Sequence, residues 1–218
     1  MVWFLSVLVG SLAYFCGCLD ATVIAGNFVF HRNLSRLGKG NVGFSNFRRI
    51  YGWKGFAVLL AFEAVIDLLP ILVGSLFFST LKVKNVDTAL VGRALAGYCL
   101  VVGRLWPYTN GFRGRSGAMA LLFASFGISI PVGFTVVVGV AAGFALSRMF
   151  SVAALVGGVV FVGTTLLAED ERLTINTVLL LSVLVFLRHI PSIHRIRTKT
   201  EPKLSFEEDI SYKFDEKF

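Results

Sequence analysis

The sequence has few charged residues and few cysteines. Of its 218 residues, 16% are Asp, Glu, Lys or Arg, whereas a typical soluble domain has about 25%. This scarcity excludes a water-soluble globular protein, whose surface needs more charge. The three cysteines all lie within apolar stretches, which excludes a disulfide-rich secreted scaffold. The chain is instead rich in apolar residues: 56% of its residues are hydrophobic, and its mean hydropathy is +0.76.

Long apolar runs separate the clusters of charge, which is the pattern of a polytopic membrane protein. A helix that crosses about 30 Å of hydrocarbon needs about 20 apolar residues. The runs that approach this length number seven, and they are 2–28, 55–78, 86–106, 117–130, 132–146, 150–167 and 173–187. Pro131 interrupts one continuous apolar stretch, so six spans with one kinked helix is the alternative.

The distribution of positive charge predicts the orientation of these spans. With seven spans, 17 of the 21 Lys and Arg fall on one side, and loops rich in Lys and Arg stay in the cytoplasm. The sequence therefore predicts an all-α protein of seven transmembrane helices in the cell membrane, with the N-terminus outside and the C-terminus cytoplasmic. Residues 1–200 form the membrane domain, and residues 201–218 are predicted to be a solvated cytoplasmic tail.

Two predicted cytoplasmic loops, 37–49 and 111–117, are rich in glycine and in cations. Glycine lets successive backbone N–H groups face one concavity, and Lys and Arg add positive charge there. The N-terminus of a following helix adds a favourable dipole. Both loops are typical of phosphate-binding sites. The alternative is that they follow the positive-inside rule and contact anionic lipid.

A third cluster, 188–195, begins where the last span ends. Its His189 can relay a proton near neutral pH and its arginines can bind phosphate, although a juxtamembrane anchor explains the arginines equally well. The sequence has no Cys/His/carboxylate set at metal-ligand spacing, no Gly-x-Ser-x-Gly elbow and no Walker loop. We therefore expect no metal, no cofactor and no protein nucleophile. Nucleic acid is not expected as a partner, because the +8 charge follows one membrane face.

Glu63, Asp67 and Arg93 are charged residues well inside the predicted spans. Glu63 and Asp67 are one helical turn apart in the second span, and Arg93 lies in the third. Isolated charges at membrane depth are costly unless they are paired or protonated. We expect Arg93 to pair with Asp67. A proton path in a transporter is the alternative interpretation of these charges.

Taken in order, the three clusters resemble the motifs of the bacterial acyl-phosphate:glycerol-3-phosphate acyltransferase family (PlsY type). The family motifs read approximately G-S-G-N-I-G-A-T-N-x-x-R, G-H-x-F-P-x-x-x-x-F-K-G-G-K-G and R-H-R-x-N-I-x-R-L. The corresponding segments here are GKGNVGFSNFRR at 38–49, GRLWPYTNGFRGRSG at 103–117 and RHIPSIHRI at 188–196. The resemblance therefore covers nearly the whole chain.

The resemblance implies a seven-span inner-membrane enzyme of phospholipid biosynthesis. Such an enzyme transfers an acyl group from acyl phosphate to glycerol 3-phosphate, giving 1-acylglycerol 3-phosphate, without a metal or acyl-CoA. The implied partners are these two substrates and membrane lipids. The implied catalytic residues are His189, Arg115 and Ser116. The implied substrate-binding residues are Lys39, Gly40, Asn41, Gly43, Ser45, Asn46, Arg49, Arg113, Gly114, Gly117 and Ser192.

The chain departs from the family pattern at several motif positions. Lys39 replaces the serine of the first motif, and Arg104 replaces the histidine of the second. Arg115 and Ser116 replace a Gly-Lys pair, and Ser192 replaces the asparagine of the third motif. We expect Arg115 to supply the positive charge that the family places one residue later. The alternative is a catalytically inactive relative that binds phospholipid precursors or protein partners.

Overall fold

The computed structural model describes residues 1–31, 43–84 and 86–203, without the side chain of Ser45. Within these residues the regular elements are helices, and no strand occurs among them. In chain order they are α1 (Val2–Cys18), α2 (Ala21–Phe28), α3 (Phe44–Ser79), α4 (Thr88–Leu105), a 3-10 helix (Tyr108–Asn110), α5 (Ala118–Ile128), α6 (Ile130–Ser147), α7 (Phe150–Ala168), α8 (Arg172–Arg188) and α9 (Ile190–Arg197). The all-α prediction is confirmed for this part of the chain.

Four of the described helices, α3, α4, α6 and α7, are long and apolar enough to cross a membrane. The number rises to six if α1 with α2, and α8 with α9, are each counted as one broken span. Helix α5, with 11 residues, is a shorter apolar helix. The prediction of a multi-pass helical membrane protein is confirmed. The number seven and the orientation stay predictions.

Local backbone structure divides two of the apolar runs. Leu19 is extended and ends α1, and the Asp20 carboxylate accepts the Thr22 N–H at 2.9 Å and so caps the start of α2. Ser129 is extended and separates α5 from α6. Pro131 lies in the first turn of α6, where a helix does not need its N–H. The stretch around Pro131 therefore forms two helices and not one kinked helix.

The described residues fall into two compact units. The first unit comprises Met1–Leu19 and Ile66–Lys203, and the second comprises the described residues of Asp20–Val65. Three aromatic rings form the centre of the second unit. The ring of Phe30 stacks on Tyr51 with centroids 4.0 Å apart, and Phe47 packs against both rings.

In the first unit, α1 packs along α4 and α6 packs along α7, while α4 also contacts α5 and α8. The α1 and α4 backbones approach closely at two glycines. A Cβ on Gly17 would collide with the carbonyl of Leu100, and a Cβ on Gly103 would collide with that of Tyr14. Such close packing takes the place of a hydrophobic driving force between helices in lipid. It also fixes the position of the last turn of α4, where the second motif segment, 103–117, begins.

Candidate active site

The last turn of α4 carries an arginine that is buried in an ion pair. The guanidinium of Arg104 bonds to the carboxylate of Asp67 on α3, and the two side chains are 4% and 0% exposed. A second nitrogen, Nη1, donates to the carbonyl of Leu19 at 2.7 Å. The side chain of Arg104 therefore connects the ends of α1 and α4 to the middle of α3.

The expected pair of Arg93 with Asp67 is wrong. Nη2 of Arg93 instead lies 3.6 Å from Oδ2 of Asp87, the residue that caps the start of α4. The close contact of Gly74 with Gly92 sets the register of α3 against α4 and places Asp67 between the levels of Arg93 and Arg104. Side chains on a helix tilt toward its N-terminus. Arg104 therefore extends back toward Asp67, whereas Arg93 extends away from it.

The loop after α4 folds back onto the end of that helix. The backbone N–H of Arg115 donates to the carbonyl of Arg104 at 3.1 Å. Gly114 lies so close to the carbonyls of Arg104 and Leu105 that a Cβ would collide with both. Gly117 has a φ of +72° and precedes α5, a conformation that glycine adopts without steric cost. The glycines of the second motif are therefore required by the path of the chain.

The end of α8 meets this loop. Nη2 of Arg188 donates to the carbonyl of Gly114 at 2.6 Å. His189 follows at the bend of 51° between α8 and α9, and its side chain is 2% exposed. Its Nδ1 lies 2.8 Å from the carbonyl of Val185. Because a carbonyl only accepts, Nδ1 carries the hydrogen and Nε2 is left as the proton acceptor in the neutral ring.

Three arginines lie next to Gly114 in the sequence or contact it. Arg113 and Arg115 flank it in the sequence, and Arg188 donates to its carbonyl. Helix α5 begins just beyond, and within the described residues no side chain caps its first turn. Several like charges beside the positive end of a helix dipole attract an anion, and the arginine fork matches phosphate in particular. The predicted second and third clusters thus meet at one surface, and the binding of an anion there stays a prediction.

An apolar groove of about 460 Å³ lies between α7 and α8. Its α8 wall includes Leu179, Val183 and Phe186 and reaches Leu187, the residue before Arg188. Gly158 and Gly163 keep the α7 side open. The groove therefore runs along apolar parts of α7 and α8 and ends one residue before Arg188.

The described part of the first cluster, 43–49, belongs to the second unit. Asn46 is buried there, Arg49 is half-buried, and the Arg48 guanidinium lies 4.6 Å from the ring of Trp53. Gly43 immediately precedes α3. The predicted binding residues that lie outside the described part of the chain are Lys39, Gly40, Asn41 and the side chain of Ser45.

The hydroxyl of Ser192 is engaged within the third cluster. It accepts from Nη2 of Arg195 at 2.9 Å, and Nε of Arg195 donates to Glu201 at 2.6 Å. Glu201 also accepts from the hydroxyl of Ser151 and is buried. The first residue of the predicted tail is therefore part of the packed structure, while 204–218 lie outside the described residues. In the described part of the chain, no group of three or more His, Cys, Asp and Glu residues could hold a metal ion.

Comparison with known proteins identifies the family. Residues 7–199 match the family model described as glycerol-3-phosphate acyltransferase. The chain belongs to this family. A glycerol-3-phosphate acyltransferase of Geobacillus kaustophilus is 32% identical over 208 residues, which cover 93% of this chain and 98% of the relative. One of Thermoanaerobacter sp. (strain X514) is 25% identical over 212 residues, covering 94% of this chain and 98% of that protein.

The fold is similar to that of a solved member of the glycerol-3-phosphate acyltransferase family. The crystal structure of PlsY (YgiH), an integral membrane glycerol 3-phosphate acyltransferase, in its glycerol 3-phosphate form has a TM-score of 0.75 at 21% identity. The match covers 92% of this chain and 96% of that one. The lysophosphatidic acid form has a TM-score of 0.76 at 19% identity, covering 93% and 97%. The resemblance read from the three motifs is confirmed, and the family membership favours an enzyme over an inactive relative or a transporter.

Sequence reasoning missed the contacts that assemble this acyltransferase surface. The third cluster contains Arg188 without indicating its role, and the motif comparison gives Arg104 as a replacement for histidine without indicating a partner. The available signal was the position of Arg104 at the end of an apolar span, with an intramembrane carboxylate at Asp67 to neutralise it.

The buried pair predicts an asymmetric response to mutation. Arg104→Met leaves Asp67 without its counter-charge and should destabilise the protein by about 3–5 kcal/mol, whereas the double variant Asp67→Leu, Arg104→Met should recover most of this loss. Thermal unfolding of the purified protein in detergent measures both. Arg93→Met is the matched control, since its partly exposed pair contributes at most about 1 kcal/mol. Absence of recovery in the double variant would contradict the pairing.

Proposed function

We propose that this protein is a glycerol-3-phosphate acyltransferase of the cell membrane that uses acyl phosphate as its donor. The product is 1-acylglycerol 3-phosphate, a precursor of phospholipids. The observation that supports this most strongly is the hydrogen bond from Arg188 to the carbonyl of Gly114. It joins the second and third family motifs, which together carry Arg113, Arg115 and Arg188.

The reaction fits a site at the boundary between apolar and charged surroundings. The acyl chain lies in apolar surroundings, for which the groove between α7 and α8 is suited, and the phosphate groups lie against the arginines. The 1-hydroxyl of glycerol 3-phosphate attacks the acyl carbonyl carbon, and the bond from that carbon to the phosphate oxygen breaks. The bonding electrons leave with inorganic phosphate. Binding supplies proximity, and the guanidinium groups stabilise the charge that develops on the leaving phosphate.

We assign the proton of the attacking hydroxyl to Nε2 of His189. The bond from Nδ1 to Val185 fixes the ring and its tautomer, so that Nε2 can accept a proton. Arg115 supplies the charge that the family motif places at the next position, where Ser116 is exposed here. We assign the first cluster to substrate binding through Lys39, Gly40, Asn41, Gly43, Ser45, Asn46 and Arg49. Arg113, Gly114, Gly117 and Ser192 complete the proposed binding set.

The proposed activity is tested with purified protein, acyl phosphate and glycerol 3-phosphate. We expect release of inorganic phosphate that depends on glycerol 3-phosphate and matches the amount of 1-acylglycerol 3-phosphate formed. Glycerol, which lacks the phosphate group, is the matched control acceptor and should support little release, because it cannot bind the arginines. Phosphate release that is the same with and without glycerol 3-phosphate would contradict the proposal.

Arg115 is expected to carry more of the transition-state stabilisation than Ser116. Arg115→Ala should lower kcat by on the order of 10² to 10³, because the contact strengthens as charge moves onto the leaving phosphate. Ser116→Ala should cost much less. Arg172→Ala, an exposed arginine at the start of α8, is the control and should retain activity. An inert wild type that Ser116→Lys alone switches on would contradict compensation by Arg115.

We also propose seven spans, with the N-terminus outside and the C-terminus in the cytoplasm. The charge distribution supports this orientation, since 17 of 21 cations fall on one side. A reporter fused after Phe218 should be cytoplasmic, and one inserted at Asp170, between α7 and α8, should be external. Accessibility of both reporters from the same side of the membrane would contradict the arrangement.

A further inference from the structure

We propose that the Asp67–Arg104 pair is a positioning unit that holds residues 113–117 in their phosphate-binding conformation. This role rests on the proposed function. Neither residue needs to touch a substrate, because Arg104 acts through its own backbone on the loop that does. The contacts of Arg104, the fit of Gly114 and the burial of the pair each support this assignment.

Arg104 makes contacts in two directions. Its side chain bonds to Asp67 on α3 and donates to the carbonyl of Leu19 at the end of α1. Its backbone carbonyl accepts the N–H of Arg115 at 3.1 Å. The guanidinium therefore fixes the last turn of α4 against two other elements, and the same residue presents the carbonyl on which the loop rests.

The loop depends on the exact course of that last turn. The last carbonyls of a helix have no partner within the helix, and those of Arg104 and Leu105 lie against Gly114. Arg115 donates to the first of them. A small rotation of the turn would move both contact points together. It would displace Arg113 and Arg115 relative to Arg188. The guanidinium of Arg188 donates to the carbonyl of Gly114.

The burial of the pair supports a positioning role over a purely stabilising one. Both side chains are almost fully buried within the membrane domain. A buried ion pair seldom stabilises a protein more than well-packed apolar residues of similar size would, but it permits only one arrangement of its partners. Arginine also reaches Asp67 and Leu19 with separate nitrogens of one rigid fork.

The experiment compares loop protection in the full-length protein in detergent. Trypsin cleaves after Arg113 and Arg115, and mass spectrometry gives the cleavage rate at each site. In the double variant Asp67→Leu, Arg104→Met, we expect cleavage at these two sites to accelerate by about tenfold, since local opening of the loop exposes its backbone. Cleavage after Lys82, in the connection between α3 and α4 at the other end of α4, should keep its wild-type rate. Arg93→Met should change neither rate.

Two further variants keep the test decisive. Asp67→Asn preserves shape and removes only the charge, so it should accelerate cleavage after Arg113 and Arg115 even if the double variant does not fold. Arg104→Lys retains a cation for Asp67 and should protect the loop better than Arg104→Met does. Unchanged loop cleavage in the folded variants, or equal acceleration after Lys82, would overturn the positioning role.

Kinetics provide a second, independent readout. In the double variant kcat/KM should fall by on the order of 10²-fold, with KM for at least one phosphate substrate raised, because a displaced loop misplaces its cations. A loss of kcat alone, in proportion to the unfolded fraction, would indicate a merely structural role and overturn the proposal. If the wild type is inert, the proposed function fails, while the cleavage rates still decide the role of the pair.

Discussion

A charge buried at membrane depth must have a partner, and the site depends on how this chain satisfies that constraint. Arg104 neutralises Asp67 and takes the carbonyl of Leu19 as its second acceptor. These bonds require α1, α3 and α4 to meet at one level. The glycines Gly17 and Gly103 allow the α1 and α4 backbones to come that close. The end of α4 is consequently held in one position at the boundary of the apolar region.

The loop after α4 packs against this helix end and carries cations. Gly114 rests on the last carbonyls of α4, and its own carbonyl accepts from Arg188. Positive charges placed close together attract an anion. The arrangement therefore favours the binding of phosphate. An apolar groove suited to an acyl chain lies along α8 and ends near this loop. Proximity and charge stabilisation account for the proposed chemistry without a protein nucleophile.

Much of the fold could be predicted from the sequence, because apolar run length and helix length share one physical cause, the thickness of the bilayer. The divisions at Asp20 and Ser129 could not be predicted from hydropathy, since they depend on a side-chain cap and on one extended residue. The glycines and cations of the loops predict an anion site, and that site stays a prediction. The pairing of Asp67 was predicted wrongly, because hydropathy gives approximate depth but not helix register or side-chain direction. The bond from Arg188 to Gly114 joins residues 74 positions apart, and no local pattern predicts it.

The central claim is that the second and third clusters form one phosphate site. Its most direct test is whether glycerol 3-phosphate protects individual arginines from an arginine-modifying dicarbonyl reagent. Modification of the purified protein is measured at each arginine by mass spectrometry while glycerol 3-phosphate is added. The account predicts that Arg115 and Arg188 become protected together, over the same concentration range, while Arg172 does not. Protection of neither residue, or equal protection of Arg172, would contradict it.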